Sequence, residues 1–393
     1  MTRTVREIAG EEMVDIFFRL TSYAFRPTPP LADEDMIKEL IRRRRGARYF
    51  AAFEDQQAVA CAGGHAMHQN SRGAIVPMGG VYAVAVHPAA RRKGHARAMI
   101  ADLLASMRAD GQPYSCLYPF RESFYDRLGY ATFPQPRWVK FNPGALAPLL
   151  KLDHGGQVDL CLLGEGYPDY YALVETLRTR VHGMAAFDEP NIAWASRNER
   201  WLALARVDGQ VVGAAVYDIK GDDIAQFTLR CWRFLYLTAQ ARYLLLDWLA
   251  RHIDQAARAE IWLPPDDYPE TWFPDLSYKT EPGFLAPMGR VLDLPAAGGI
   301  PCGPGCFTAR ITDSLCPWNE GVWQFENNAG LLRIAPAAQA ECDLSIQAVA
   351  ALIYGVNAPA DFLYRGWGNP PAPVQETMRV MFPRQTPYMF ETF

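Results

Sequence analysis

No apolar run in this chain reaches the roughly 20 residues that a membrane-spanning helix needs. Its start, MTRTVREIAGEEMVDIFFRL, alternates charge with apolar residues where a signal peptide would carry an apolar block. Both absences point to a soluble, cytoplasmic protein. The eight cysteines, from Cys61 to Cys342, form no framework and read as reduced thiols. An excess of positive charge is also missing: with a net charge of −4, no nucleic-acid partner is expected, and no membrane partner either. Histidine is scarce, and none follows His252. The Cys302-x-x-x-Cys306 pair, with Cys316 and Cys342, therefore fits no familiar zinc spacing, and no metal is expected. G-x-S-x-G, the Walker P-loop pattern and G-x-G-x-x-G are all absent, so neither a serine hydrolase elbow nor those two nucleotide loops is available.

What is present is enough chain, 393 residues and half of them hydrophobic, for two or three domains. Met13, Ile16, Phe17 and Leu20 have helical spacing, a Pro-rich loop RPTPPLADED follows, and MIKELIRRRR predicts a second helix. Strands are expected at ARYFAAF, AVACAGGHAM and GGVYAVAVHP, the last apolar enough to be buried on both faces. Ala96, Met99, Ile100, Leu103, Leu104 and Met107 mark one face of a long helix. A short strand YSCLY and a helix around RESFYDRLGY complete a first unit, residues 1–150.

FNPGALAPLLKLDHGG reads as a linker, after which the order of elements repeats over residues 151–286. RYFAAFEDQQAVACA and RWLALARVDGQVVGAA align: Arg48 with Arg200, then Asp55, Gln57 and Val59 with Asp208, Gln210 and Val212. That faint match, at the same place in the element order, implies an internal duplication. The second copy has its own amphipathic helix, TAQARYLLLDWLARHID, but not the basic, glycine-containing turn before it. From about residue 287 to 393 the strands FTARITD, GVWQFEN and GLLRIAP and the helical stretches SIQAVAALIYG and APADFLYRG predict a small α+β unit. The fold class expected is α/β (α+β): two tandem mixed-sheet domains, then a small α+β domain.

The segment that carries chemistry is VYAVAVHPAARRKGHARAMIADLL, a buried strand running through a basic turn straight into a helix. The first N–H groups of a helix lack internal partners and sit at its positive end, so they can receive a phosphate. Gly94 and Ala96 keep bulk away, while Arg91, Arg92 and Lys93 add charge, an arrangement that suits a pyrophosphate. The plainer alternative is a solvated charge run before an ordinary helix. His95 is a further candidate phosphate contact, and His87 reads as structural.

VAVHPAARRKGHA resembles the acetyl-CoA signature [QR]-x-x-G-x-[GA] of the GNAT-type N-acetyltransferase superfamily, with Arg91, Gly94 and Ala96 at its fixed positions. The resemblance implies that the backbone of Val84, Ala85 and Val86 pairs with the pantetheine arm and that the turn from Arg91 to Arg97 holds the pyrophosphate. LYPFRESFYDRLGY, the degenerate second copy and the ending FPRQTPYMFETF are together similar to the enhanced intracellular survival (Eis) acetyltransferase family, over nearly the whole chain. That family has two tandem GNAT-like domains and a sterol-carrier-protein-like C-terminal domain, and it assembles as hexamers.

The Eis resemblance assigns roles residue by residue. Tyr125 would be the general acid that protonates the departing thiolate; a phenol with a pKa of about 10 suits a thiolate of similar basicity. From composition alone Tyr125 reads as a packing tyrosine on a short helix. The α-carboxylate of Phe393 would be the general base, anchored by Tyr388, Phe390 and the Phe393 ring, which gives a purpose to a chain that ends in aromatics. The other reading is a tail that packs into its own domain. Phe120 and Arg121 would lie beside acetyl-CoA, in a stretch where this chain has Arg-Glu-Ser-Phe before Tyr125. The expected activity is acetyl-CoA-dependent N-acetylation of a small polycationic amine, aminoglycoside- or polyamine-like, by a homo-oligomer, without metal. Acetylation of protein lysines or peptides, or a lipid carrier with an apolar cavity after residue 287, are the alternatives. The acidic run Asp33-Glu34-Asp35 reads by default as a helix N-terminus, less as a lure for cations.

Overall fold

The computed structural model describes residues 3–25, 34–42, 46–187, 200–272, 274–283 and 285–393. They divide into two compact units: Met1–Phe133 with His182–Phe187 and Pro287–Phe393, and Pro134–Val181 with Asp188–Ala286.

Strand β1 (Arg3–Glu7) leads into helix α1 (Gly10–Phe25), which buries Met13, Val14, Ile16, Phe17, Phe18 and Leu20. Helix α2 (Glu34–Arg42) buries Ile37 and Ile41, one turn apart on one face. The Pro-rich loop and Asp33 lie outside the described residues; Glu34 and Asp35 start α2, where negative charge is favoured, and Glu34 pairs with Lys38 at 3.1 Å. Strands β2 (Ala47–Glu54) and β3 (Gln57–Ser71) are joined by Asp55 and Gln56, both at positive φ, as in a type I′ hairpin. Strand β4 (Ala74–Val86), helix α3 (His95–Ala109), strand β5 (Tyr114–Leu117), helix α4 (Glu122–Asp126) and strand β6 (Ala131–Thr132) follow.

The second unit runs through β7 (Arg137–Phe141), β8 (Gln157–Leu162) and α5 (Tyr167–Arg178). After the short β9 (Ala185–Ala186), which pairs with β3 of the first unit's sheet, come β10 (Trp201–Val207) and β11 (Gln210–Lys220). Asp208 and Gly209 between them are again both at positive φ, so the aligned hairpins of the two copies share their turn as well as their sequence. Strand β12 (Phe227–Tyr236), helix α6 (Ala239–Ala250) and strands β13 (Ala256–Leu263) and β14 (Lys279–Pro282) complete it.

Strand β15 (Met288–Val291) returns to the first sheet, whose order is β1-β2-β3-β4-β5-β15-β6 with β9 against β3. The second sheet is β14-β7-β13-β12-β11-β10-β8. Sheet boundaries therefore differ from the segment boundaries at 150 and 286. β7 precedes the linker yet belongs to the second sheet, and β15 follows the second copy yet belongs to the first. The last segment has strands β16 (Cys306–Thr312), β17 (Gly321–Asn328), β18 (Leu331–Pro336) and β19 (Cys342–Ser345). Helices α7 (Ile346–Tyr354), α8 (Phe362–Arg365) and α9 (Ala372–Met381) cover the sheet formed by those strands. Phe307 and Phe325 stack 4.9 Å apart between them, with Phe382, Met378 and Met381 also buried. No helix among the described residues is long and apolar enough to cross a membrane.

His182 joins three parts of the first unit. Its Nδ1 accepts from the Arg72 amide at 3.0 Å, its Nε2 donates to the Tyr354 carbonyl at 3.1 Å, and its own carbonyl receives the Tyr388 amide at 2.9 Å. That pattern uses the neutral ring. Burial, reinforced by the Arg72 guanidinium, pushes the imidazole down to about 4, although the Tyr354 carbonyl favours the proton. Between that value and the usual 6.5 the unfolded chain binds more protons than the folded one, so stability falls as pH is lowered. The unit is expected to lose at most about 3 kcal/mol between pH 6.5 and 4 on this account. Denaturant titrations across that range, compared with His182→Gln, check it; an unchanged pH slope in the variant would assign the loss to other groups.

Candidate active site

Strands β4 and β5 run parallel and pair from Met78 with Tyr114 to Val81 with Leu117, and then part. Beyond that point β4 keeps its partner on the other side, Cys61 with Ala85 and Ala60 with Val86. On that side residues 82–86 have no strand partner among the described residues. A register shift opposite Cys61–Gly63 puts an extra residue into β4, with Ala83 at φ +51°, a conformation rare outside glycine. The bulge bends the strand where the crevice opens. Crevices at the carboxyl ends of strands are where open α/β sheets bind ligands.

At the end of β4, His87 Nδ1 accepts from the Ala89 amide at 3.3 Å and caps a short 3₁₀ turn, Pro88–Ala90. Its part is structural, as its sequence position suggested. Arg92 (φ +64°) and Gly94 (φ +85°) then reverse the chain into α3. The first helical amides have no intrahelical acceptor, and the first one bonded back is that of Ala98, to the Gly94 carbonyl at 3.1 Å. This is the physical form of an anion cradle.

The side chains of the turn divide. Arg91 and Arg92 are exposed, and Arg91 Nε reaches only the Val86 carbonyl, at 3.4 Å. Lys93 bonds both Glu54 oxygens at 3.1 Å, and Arg97 donates to the Ser314 carbonyl and hydroxyl at 3.0 Å. His95 points inward: its ring is buried, with Nε2 2.8 Å from Glu54 Oε1. His95 and then Lys93 hold the Glu54 carboxyl below its usual range. The expectation that the His95 side chain faces a phosphate therefore meets a hydrogen bond to Glu54 instead; its amide stays in the cradle. The small Ala96 leaves the helix start uncovered.

Opposite, α4 carries Tyr125, 3% exposed. Its ring is held edge-on by Phe124 (5.0 Å), Phe120 (5.8 Å) and Tyr130 (6.1 Å). Burial raises its pKa, so the phenol keeps its proton. Phe120, 64% exposed, and Arg121, the N-cap residue of α4, lie on the solvent side.

The tail reaches the same sheet. Tyr388, Met389 and Phe390 are buried, and the Tyr118 hydroxyl donates to the Met389 carbonyl at 3.2 Å. The Phe393 ring packs 5.9 Å from Tyr118, across the β4–β5 pair at Gly80, where a Cβ would come within 2.8 Å of its Cε2. Sequence reasoning missed Gly80 and Tyr118, because the first acts by lacking a side chain and the second resembles any core aromatic. Among the described residues no group of three or more His, Cys, Asp or Glu is placed to hold a metal.

Profiles of known families match three stretches: an acetyltransferase (GNAT) domain at residues 4–133, a second at 184–291, and a sterol carrier protein domain at 300–390. No curated protein matches the sequence. Solved structures similar over the whole chain include a probable N-acyltransferase of Enterococcus faecalis V583 (19% identity, 100% of both chains, TM-score 0.85). A GCN5-related N-acetyltransferase of Kribbella flavida is 22% identical (100% of this chain, 99% of that one, TM-score 0.83). Eis1 of Mycobacterium abscessus is 17% identical (100% of both, TM-score 0.77). At these identities the likeness is one of fold.

Gly80→Ala is expected to push the Phe393 ring out of its seat while costing less than about 1 kcal/mol, because a terminal side chain can move where a core ring cannot. Carboxypeptidase release of Phe393, faster in the variant at near-unchanged thermal stability, is the measurement. The open strand edge, the helix-start cradle and the three matched domains together identify the chain as an acyltransferase with two GNAT domains and a C-terminal sterol carrier protein domain.

Proposed function

We propose that the chain is an Eis-like N-acetyltransferase that transfers acetyl from acetyl-CoA to a primary amine of a small polycationic, aminoglycoside- or polyamine-like substrate. The observation that carries this reading is the parting of β4 and β5 beside the α3 cradle. The residues fit acetyl-CoA. Val84, Ala85 and Val86 offer an edge that β5 leaves unpaired to the amides of the pantetheine arm. The amides from Arg92 to Arg97 and the exposed guanidinium groups of Arg91 and Arg92 suit the pyrophosphate. Phe120 and Arg121 would border the thioester end.

In this reading the neutral amine attacks the thioester carbonyl carbon, the C–S bond breaks, and Tyr125 gives its proton to the leaving thiolate. The proton lost by the amine goes to the α-carboxylate that Phe393 carries as the last residue of this sequence. The resemblance of the sequence to the Eis family implies a homo-oligomer, a hexamer, and eight free cysteines favour a cytoplasmic setting. The polycationic substrate class rests on that likeness alone, since Glu34 and Asp15 are both occupied by Lys38. A lipid carrier is disfavoured by the C-terminal domain's interior, filled by Phe307, Phe325, Phe362 and Phe382.

The test is thiol release from acetyl-CoA with aminoglycosides, polyamines and lysine peptides. Tyr125→Phe is expected to lower kcat by about 10²- to 10⁴-fold with acetyl-CoA binding intact. A chain with one glycine added after Phe393 keeps the ring and shifts the carboxylate by roughly 3.5 Å; a comparable loss is expected. Full activity in either protein would remove that residue from the mechanism, and turnover confined to lysine peptides would change the substrate. Because burial raises the Tyr125 phenol, the rate should climb with pH as the amine loses its proton, with no falling limb from Tyr125 below pH about 10.

A further inference from the structure

Helix α4 has five residues, too few to hold a side chain in place by its own hydrogen bonds. Its C-terminal carbonyls need partners from elsewhere. The Tyr125 carbonyl finds local ones, the amides of Leu128 (2.9 Å) and Tyr130 (3.2 Å). The Asp126 carbonyl also takes the Gly129 amide (3.0 Å), and two further bonds are long-range. The Asp126 carbonyl accepts from Gln347 Nε2 at 2.6 Å, and the Leu128 carbonyl accepts from Arg290 Nη1. Arg365 adds a bond to the Asp126 carboxylate at 3.2 Å. All three donors belong to residues that follow the second copy.

Arg290 is the centre of this clamp. It is 0% exposed, pairs with Asp313 at 2.5 Å, and lies 5.8 Å from the Tyr130 ring that abuts Tyr125. Asp313 is itself fixed by Asn319 Nδ2 (3.0 Å) and by the amides of Leu315 (3.3 Å) and Cys316 (3.1 Å). A Cβ on Gly129, at φ +92°, would come within 2.8 Å of both Arg290 Nη1 and Ile346 Cγ2, so the turn after α4 is moulded onto this guanidinium. A buried ion pair is a poor device for stability, since apolar groups of the same volume often serve as well. A rigid fork of donors held by a fixed acceptor is a good device for aiming a backbone.

We infer that Arg290, seconded by Gln347, is a positioning residue for Tyr125, through which the C-terminal segment sets the place of the proton donor. The inference rests on the reading of Tyr125 as the acid. Its test is a double-mutant cycle in the full chain, with acetyl-CoA as donor and the best amine of the panel. Arg290→Met with Asp313→Asn removes the fork without stranding a charge. The pair is expected to lower kcat about 10- to 100-fold with little change in acetyl-CoA affinity. In the Tyr125→Phe background the same pair is expected to cost less than about twofold. A loss equal in both backgrounds, or no loss at all, overturns the inference. A fully active Tyr125→Phe overturns it too, and separately marks the acid reading as the fault. Should the double variant not fold, Gln347→Ala, which removes one hydrogen bond to α4, goes through the same cycle with the same criteria.

Discussion

Strand β15 is bonded on both sides. Met288–Val291 pair with Leu117–Tyr114 of β5, while Met288 and Gly289 also pair with Thr132 and Ala131 of β6. The chain leaves the first sheet after β6, builds the second sheet with one brief return at β9 against β3, and comes back through these few residues to complete the first. Loop-closure entropy grows only slowly with the length of the excursion, so the return is affordable once Met288, Arg290 and Val291 are buried. Much hangs on it. β15 covers the far edge of β5, which leaves the opening of the sheet on the β4 side, and it supplies the guanidinium behind α4. It also sets the starting point of the C-terminal domain, whose helix α7 packs against it through Gly289, a residue with Tyr354 and Phe133 where a side chain would be.

The parts of the site that were legible in the sequence are those written locally. A continuous apolar strand, a basic turn with Gly94 and a helix with one apolar face define β4, the cradle and α3, and each depends on neighbours within a few residues. The duplicated hairpins were visible through Asp55 and Asp208, a residue type that a type I′ turn favours, and through the matching residues on either side of the turn. What escaped depends on distant partners. The short strands β1, β6, β9 and β19 carry too few residues for a periodic signal, and β15 hides in a Pro/Gly-rich stretch whose partners are set by topology. Helix α9 follows two prolines and was invisible as a helix, although Val374, Met378 and Met381 form its buried stripe. His95 shows the limit from the other side: the motif places its backbone, but Glu54, on another strand, decides where the ring goes.

The second copy explains by contrast what the first one keeps open. Its sheet also has a parallel pair that parts, since β12 continues to Tyr236 after its last pairing with β13 at Cys231. There, however, the helix start is satisfied by its own chain: the Thr238 side chain caps α6 by accepting from the Ala241 amide at 3.2 Å. Arg242 in the first turn lies over Tyr236 (5.5 Å) and Trp272 (5.7 Å), and Trp272 Nε1 and the Tyr236 hydroxyl both bond Asp267. The elements that frame a crevice in the first copy are thus bonded to one another in the second. A GNAT fold without the glycine turn retains the architecture and spends its polar groups internally.

A group at a chain end is an expensive thing to hold still, because each residue fixed costs about 1–2 kcal/mol of backbone entropy. The tail after Pro387 meets that cost with contacts of high yield. Pro387 lies against Gly183, where a Cβ would come within 2.5 Å of its own Cβ, and the Tyr388 and Met389 backbones are each bonded, to His182 and Tyr118. Tyr388 and Phe390 bury whole rings, each worth roughly 2–3 kcal/mol of transfer free energy. Glu391 and Thr392 then bridge to the Phe393 ring, which fits only because Gly80 has no side chain. Buried aromatic rings at Tyr388 and Phe390 are therefore what holding this segment in place requires physically. The bonds at His182 and Tyr118 tie this segment to the residues before β9 and after β5, so the tail is located by the same framework that locates α4.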